Sequence, residues 1–524
     1  MKRGKLALLM AVVMLLSVLL LPGGSVFAEG KTVTVAMYQP WDSMMPMNTN
    51  SHYSRFISDQ LYDTLTMAAK SGEFMPRLAT SWEVNDESTA VTFTLAENVK
   101  WSDGEPFTAE DVVFTFQLYS NPAINLLSRH YLQYIDGVDE SGAETSEKSI
   151  NVKADGDYKV TITMKSALFP DTLLQSINTA AILPKHIFED KTVEEINGPD
   201  LWAKPVGTGP FRLENVIAGE RMEFQANPDY FQGKPDIDKL VVRVVDQTSL
   251  LANLISGEVD VNVLGSIAIE DWELALEQEN LNMHSIPGTS YQTLLFNTSK
   301  PYQTQRVRQA LSMAINRDVL VEALLKGQGE PIVTPITPAH PYFNKNIKVV
   351  YDPDQAAEIL KEENFPFDQE LKFYAPSDAL RQRSVALIAQ DFAKVGVKVS
   401  IQTVDFTKLM ELMRNGEHDF GIIGSGGNLD PGTSREMLAP GSPVNFSHLT
   451  DTTLIDLIDE GNAELTFETR KPIFDAFQEK VVEIMPFAYL YSTNNLVGVN
   501  KRLSNVPVED FDGLNWATWT WKVD

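Results

Sequence analysis

From residue 297 to residue 424 the chain alternates helical and strand patterns with a stop signal at almost every junction, and few folds accommodate that order. Thr304 stands where a cap would open a helix with Val307, Leu311 and Ile315 on one face, and Gly327 ends the next helix. Asp352-Pro353 places a cap and a first-turn proline in their preferred positions. A helix over 378–394 ends at Gly396, a strand covers 397–404, a helix over 406–415 ends at Gly416, and a strand covers 419–424. Strands separated by helices of this length need crossover connections. The chain is therefore predicted to be α/β, built of βαβ units with mostly parallel sheets.

The preceding half is more varied. Residues 32–37 alternate like a strand, 54–65 read as a helix with Phe56, Leu61 and Leu65 inward, and 82–84 and 91–95 are short strands about an Asn85-Asp86 turn. Further strands are expected over 158–164 and 239–245, and a helix over 249–256 that stops at Gly257. Trp516, Trp519 and Trp521 cluster near the C-terminus and are read as part of a strand face, which points to packing. No internal repeat or low-complexity segment interrupts the 524 residues, enough for roughly two to four domains.

Lys2, Arg3 and Lys5 precede an apolar run over 6–21 and then Val26-Phe27-Ala28, the order of a secretory signal peptide cleaved near Ala28. The run is shorter than a spanning helix and is followed by Pro22-Gly23-Gly24, so the mature protein is expected in a periplasm or at a cell surface. The chain has no Cys, which removes disulfides, thiolate chemistry and a lipid-anchor Cys; Ser25 stands where such a Cys would be. Net charge is -28, and loss of the leader's three positive charges makes it -31. That excess excludes nucleic acid as a partner, since phosphate binding needs clustered Lys and Arg.

Residues 100–114 read Lys-Trp-Ser-Asp-Gly-Glu-Pro-Phe-Thr-Ala-Glu-Asp-Val-Val-Phe. Ser102-Asp103-Gly104 is a tight turn, Thr108 and Asp111 have the spacing of a capping box, and Val112, Val113 and Phe116 supply an apolar helix face. The whole run resembles the signature of the peptide and nickel class of ABC-importer solute-binding proteins, the oligopeptide- and dipeptide-binding family 5. Other runs similar to the same family follow in its order. They are Gln60-Leu61-Tyr62-Asp63-Thr64-Leu65, Pro76-Arg77-Leu78-Ala79-Thr80-Ser81-Trp82, Val206-Gly207-Thr208-Gly209-Pro210-Phe211, Gly257-Glu258-Val259-Asp260, Arg306-Val307-Arg308-Gln309-Ala310-Leu311, Tyr351-Asp352-Pro353 and Gly416-Glu417-His418-Asp419.

The resemblance implies a bilobed type II periplasmic-binding fold with an additional inserted domain and a hinged ligand cleft. A first lobe would combine 29–65, 206–288 and 491–524, the inserted domain would hold 66–205, and the second lobe 289–490. Gly207, Thr208 and Gly209 would form the hinge. The implied role is an exported binding component, a monomer without cofactor, that hands a solute unaltered to the transmembrane subunits of an ABC permease. In peptide-binding members an Asp in a Trp-x-Gly-Asp or Trp-x-Ala-Asp run holds the ligand's amino terminus. The corresponding run here is Gly424-Ser425-Gly426-Gly427-Asn428-Leu429-Asp430-Pro431. Asn428, Asp430 and Pro431 fit, whereas Gly424 stands at the Trp position and Gly427 at the Asp position. The carboxylate-holding Arg of dipeptide binders would fall in Tyr374-Ala375-Pro376-Ser377, which carries none. A dipeptide held at both ends is therefore disfavoured. An oligopeptide held along its backbone, an oligosaccharide or another neutral solute all suit a glycine-rich wall.

The expected ligand-binding residues are Trp41, Tyr291, Gly426, Gly427, Asn428 and Asp430. Each has a plainer reading: Trp41 and Tyr291 as packed aromatics, Asp430 as a turn residue before proline. An exported hydrolase is the competing class. It lacks support, because Ser425 is not flanked by Gly on both sides as a nucleophile elbow requires. The seven His residues also show no metal-ligand spacing, so neither catalytic nor metal residues are expected.

Overall fold

The computed structural model describes residues 30–49, 51–69, 73–264, 267–426, 430–510 and 516–524. The leader 1–28, together with Gly427 and Asn428, lies outside the described residues. The longer elements are numbered in chain order. Strand β1 (Thr32–Met37) buries Val33 and Val35, and helix α1 (His52–Leu61) packs beside it with Phe56, Ile57 and Leu61 inward.

The chain then builds a separate layer. Strands β2 (Ala79–Val84) and β3 (Ala90–Leu95), helix α2 (Ala109–Ser120), strands β4 (Val152–Ala154) and β5 (Lys159–Thr163) and helix α3 (Pro170–Ile177) follow in order. The strands form an antiparallel sheet ordered β2-β3-β5-β4. The signature run lies here: Gly104 takes a φ of 102°, Asp111 accepts from the Thr108 backbone N–H at 2.9 Å, and Val112 and Phe116 are buried.

The chain returns through β6 (Phe211–Ile217), β7 (Arg221–Ala226), β8 (Lys239–Val244), α4 (Gln247–Ser256) and β9 (Val261–Leu264) before β10 (Leu281–Phe296). Helices α5 (Gln305–Met313), α6 (Arg317–Leu325) and α7 (Pro353–Glu362) lead to β11 (Glu370–Pro376), α8 (Ala379–Lys394), β12 (Lys398–Val404), α9 (Phe406–Arg414) and β13 (Phe420–Ser425). Helices α10 (Thr453–Ala463) and α11 (Phe467–Ile484) precede β14 (Phe487–Asn500). Side chains of Thr304, Asp352, Asp378 and Asp405 accept from the first-turn N–H groups of α5, α7, α8 and α9, which fixes where those helices start.

One sheet runs through both lobes in the order β12-β11-β13-β10-β14-β9-β1-β8-β7-β6. Pairing is parallel for β1 with β8 and β9 and for β11 with β12 and β13, and antiparallel elsewhere. The sheet is thus mixed, not mostly parallel, because two long strands enter antiparallel between the two parallel groups. These are β10 and β14, 16 and 14 residues long. They pair from Leu281 with Asn500 to Leu295 with Phe487, and their register breaks between Pro287 and Tyr291. Proline cannot donate to a ladder and glycine adds no side chain to it, so Pro287-Gly288 is where this pair is least regular.

The expected hinge residues and the irregular strand pair lie at different junctions. Gly207, Thr208 and Gly209 join the inserted layer to β6, while the strands that run from one lobe to the other are β10 and β14. Gly209 N–H donates to Leu61 O at 3.0 Å, and Gly207 O accepts from Ser102 N–H at 2.9 Å. A Cβ on Gly207 would lie 1.9 Å from Leu61 O, so the segment is a close backbone contact between first lobe and inserted layer. Trp516 and Trp521 are packed as expected, yet around a 3-10 turn (Thr518–Thr520) in place of a strand face.

Candidate functional site

Tyr291 is the first residue of β10 to pair again after the register break, facing Ser492 on one side and Ser425 on the other. Its ring meets that of Tyr489 edge to face at 5.5 Å and is 5% exposed. Burial pushes its hydroxyl up to about 12, so it stays neutral and able to donate. Tyr291, Ile336, His340, Gly426 and Asp430 line a cavity of about 70 Å3 at the end of β13. Gly426 has open space where a Cβ would stand. The structure therefore brings together three of the expected residues, Tyr291, Gly426 and Asp430.

Asp430, expected as a ligand contact or as a turn residue before proline, is engaged within the protein. One carboxylate oxygen accepts from Gly432 N–H at 2.9 Å and from Arg470 Nη2 at 3.1 Å; the other accepts from Thr172 Oγ1 at 3.1 Å. Arg470 is nearly sealed from solvent, donates from Nε to Gly461 O at 3.0 Å, and lies over the rings of Phe169, Phe474 and Tyr342 at 4.6, 5.2 and 5.5 Å. Phe169 and Thr172 open α3, so this cluster is where the inserted layer meets the second lobe. Burial raises the Asp171 carboxyl there, and a cavity of about 300 Å3 lies between Phe74, Phe169, Asp171, Tyr342 and Phe467.

Gly424 lies close beneath the ends of two flexible side chains. A Cβ there would lie 2.4 Å from Arg381 Nη2 and 2.7 Å from Gln292 Nε2. Arg381, one turn into α8, donates from Nε to Gln292 Oε1 at 2.9 Å and pairs through Nη1 with Asp378 at 3.0 Å. A guanidinium thus stands over the end of β13 although 374–377 contain none. The signal in the sequence was the position itself, three residues beyond the Asp378 cap.

The first lobe has a cavity of its own where it meets the inserted layer. It measures about 340 Å3 and lies between α1, the segment 43–49 and residues Ser128, His130, Tyr131 and Thr179 of the inserted layer. Met44, Met45 and Met47 give it an apolar side, and Arg55 and Asp59 line it from α1. Burial raises the Asp59 carboxyl against the pull of Arg55 and Arg77. Trp41 is not among these lining residues and is half-buried against the core that the first lobe shares with the inserted layer. The sequence reading named neither Arg55 nor Asp59, although one helical turn separates them.

The profile of bacterial extracellular solute-binding proteins, family 5 Middle, matches residues 73–446. The chain belongs to this family. Among its relatives, the dipeptide-binding protein of Escherichia coli is 29% identical over 376 residues, covering 68% of this chain and 69% of that one. The oligopeptide-binding protein AppA of Bacillus subtilis is 26% identical over 472 residues, covering 85% and 83%. The heme-binding protein A of Haemophilus influenzae is 28% identical over 410 residues, covering 75% and 74%. The solved substrate-binding protein CtaP of Listeria monocytogenes superposes with a TM-score of 0.82 over 94% of this chain and 99% of its own, at 24% identity. This family 5 protein is accordingly a bilobed α/β substrate-binding component of an ABC importer, not an enzyme, and it works outside the cytoplasmic membrane.

Proposed function

We propose that the solute is an oligopeptide, bound in the cleft between the lobes, held mainly along its backbone, and passed intact to the permease. The observation that carries this reading is the second-lobe wall at the end of β13. Position 427 offers no carboxylate, Asp430 is taken by Arg470, Gly432 and Thr172, and Gly426 leaves main chain open toward Tyr291. Main-chain groups there suit a peptide backbone, whose amides must be paired once closure removes water. Relatives named for dipeptides and oligopeptides support the same class.

Cleavage near Ala28, release without a lipid anchor, and a hinge at Pro287-Gly288 belong to the same proposal. A solute that binds only the folded protein raises its melting temperature by mass action. In a thermal-shift series, peptides longer than two residues are expected to stabilise the protein more than dipeptides. Stabilisation only by heme, by nickel-histidine or by an oligosaccharide would overturn the peptide reading.

A further inference from the structure

The wall of the first lobe holds two groups of opposite charge that the fold leaves unused. Arg55 and Asp59 are one turn apart on α1, a spacing at which such residues usually pair. They form no ion pair with each other, and Arg55 Nε is buried without a hydrogen-bond partner among the described residues. Asp59 likewise accepts no hydrogen bond among the described residues; only more distant charges act on it. Both line the cavity of about 340 Å3. A half-buried carboxylate and guanidinium without partners are costly to keep, and a bound group that satisfies both recovers that cost.

Resting on the oligopeptide reading, we infer that α1 replaces the second lobe as the anchor of the peptide's amino terminus. Asp59 receives the α-ammonium group, and Arg55 donates to the carbonyl oxygen of the first peptide bond. An ammonium group and the first carbonyl oxygen lie on neighbouring atoms of one residue, which suits acceptor and donor groups one helical turn apart. The methionine side of the cavity then faces the first side chain. Met44, Met45 and Met47 are unbranched and polarizable and adapt to apolar groups of different shape. The substrate class is therefore a peptide with a free amino terminus and an apolar first residue, with no requirement on its carboxyl end. The second lobe's lack of an acid at position 427 and the engaged Asp430 agree with this transfer of the anchor.

The test is calorimetric titration of the full mature chain with Leu-Ala-Ala-Ala-Ala, its N-acetylated form and its C-amidated form. The free and C-amidated peptides are expected to bind within about threefold of each other, and N-acetylation to weaken binding by at least about thirtyfold. Asp59→Asn should weaken the free peptide similarly and abolish the discrimination against the acetylated one. Arg55→Gln should weaken both peptides. Asp59→Asn removes a desolvated charge, so its melting temperature without peptide should be no lower than that of the unsubstituted chain. Equal binding of acetylated and free peptide, or discrimination that survives Asp59→Asn, would overturn the inference while leaving the oligopeptide reading intact. Failure of all three peptides to bind the unsubstituted chain would overturn both.

Discussion

Asp63 is enclosed by groups drawn from three separate stretches of the chain. Arg77 Nε donates to it at 2.7 Å, Thr208 Oγ1 at 3.0 Å and Tyr230 OH at 3.1 Å, while the Trp519 ring stacks 4.5 Å from the Arg77 guanidinium. Burial opposes the charge on Arg77, but Asp63, Tyr230 and Asp59 outweigh it and raise its pKa. Arg77→Met leaves a buried carboxylate unpaired and is expected to cost about 3–5 kcal/mol in urea unfolding, with part of the loss recovered by adding Asp63→Asn. A second residue sets a pH dependence. Burial, and next the charge of His448, lower His418 from its ordinary 6.5 to about 4. The unfolded imidazole takes a proton near pH 6.5 and the folded one resists until about pH 4. Stability is therefore full above that window and falls as pH drops through it, by up to about 3 kcal/mol. His418→Leu should flatten that slope in urea titrations between pH 7 and pH 4. Asp63, Arg77 and Thr208 all sit in runs that mark the family in the sequence, though nothing in the runs says that the three touch. Of the engagement of Asp430 only the local turn to Gly432 N–H was legible, because Thr172 and Arg470 lie 258 and 40 residues away.

Among the elements, α3 carries the contact between the inserted layer and the second lobe. Its first turn sets Phe169 under Arg470 and Thr172 against Asp430. Phe169→Ala removes that ring, and backbone hydrogen exchange in 170–177 is expected to quicken while exchange in β3 and β5 stays unchanged. Equal exchange rates in α3 would mean that the contact does not hold the helix. Helix starts were legible wherever a short polar side chain sits one residue before an apolar face, as at Thr304, Asp352 and Asp378, since the cap interaction is local. Glycine and proline, by contrast, signal two different things. At Gly207 and Gly209 they permit close backbone packing on Gln60 and Leu61; at Pro287-Gly288 a shorter signal interrupts the pairing of β10 with β14.

For the whole molecule, a single sheet passes through two lobes, and among the described residues the long elements they share in that sheet are β10 and β14. Local pattern predicted the α/β class, since helix and strand periods are set by neighbours in sequence. It did not predict the mixed sheet, which depends on where distant strands insert. Two lobes joined through an irregular strand pair are the arrangement of a protein that closes on its solute. The cavity of the first lobe offers Arg55 and Asp59, and that at the end of β13 offers Tyr291 and Gly426. Small-angle scattering of the mature chain titrated with an oligopeptide tests this most directly. The radius of gyration is expected to fall to a plateau at one peptide per chain, and binding that leaves it unchanged would contradict capture by closure of the lobes.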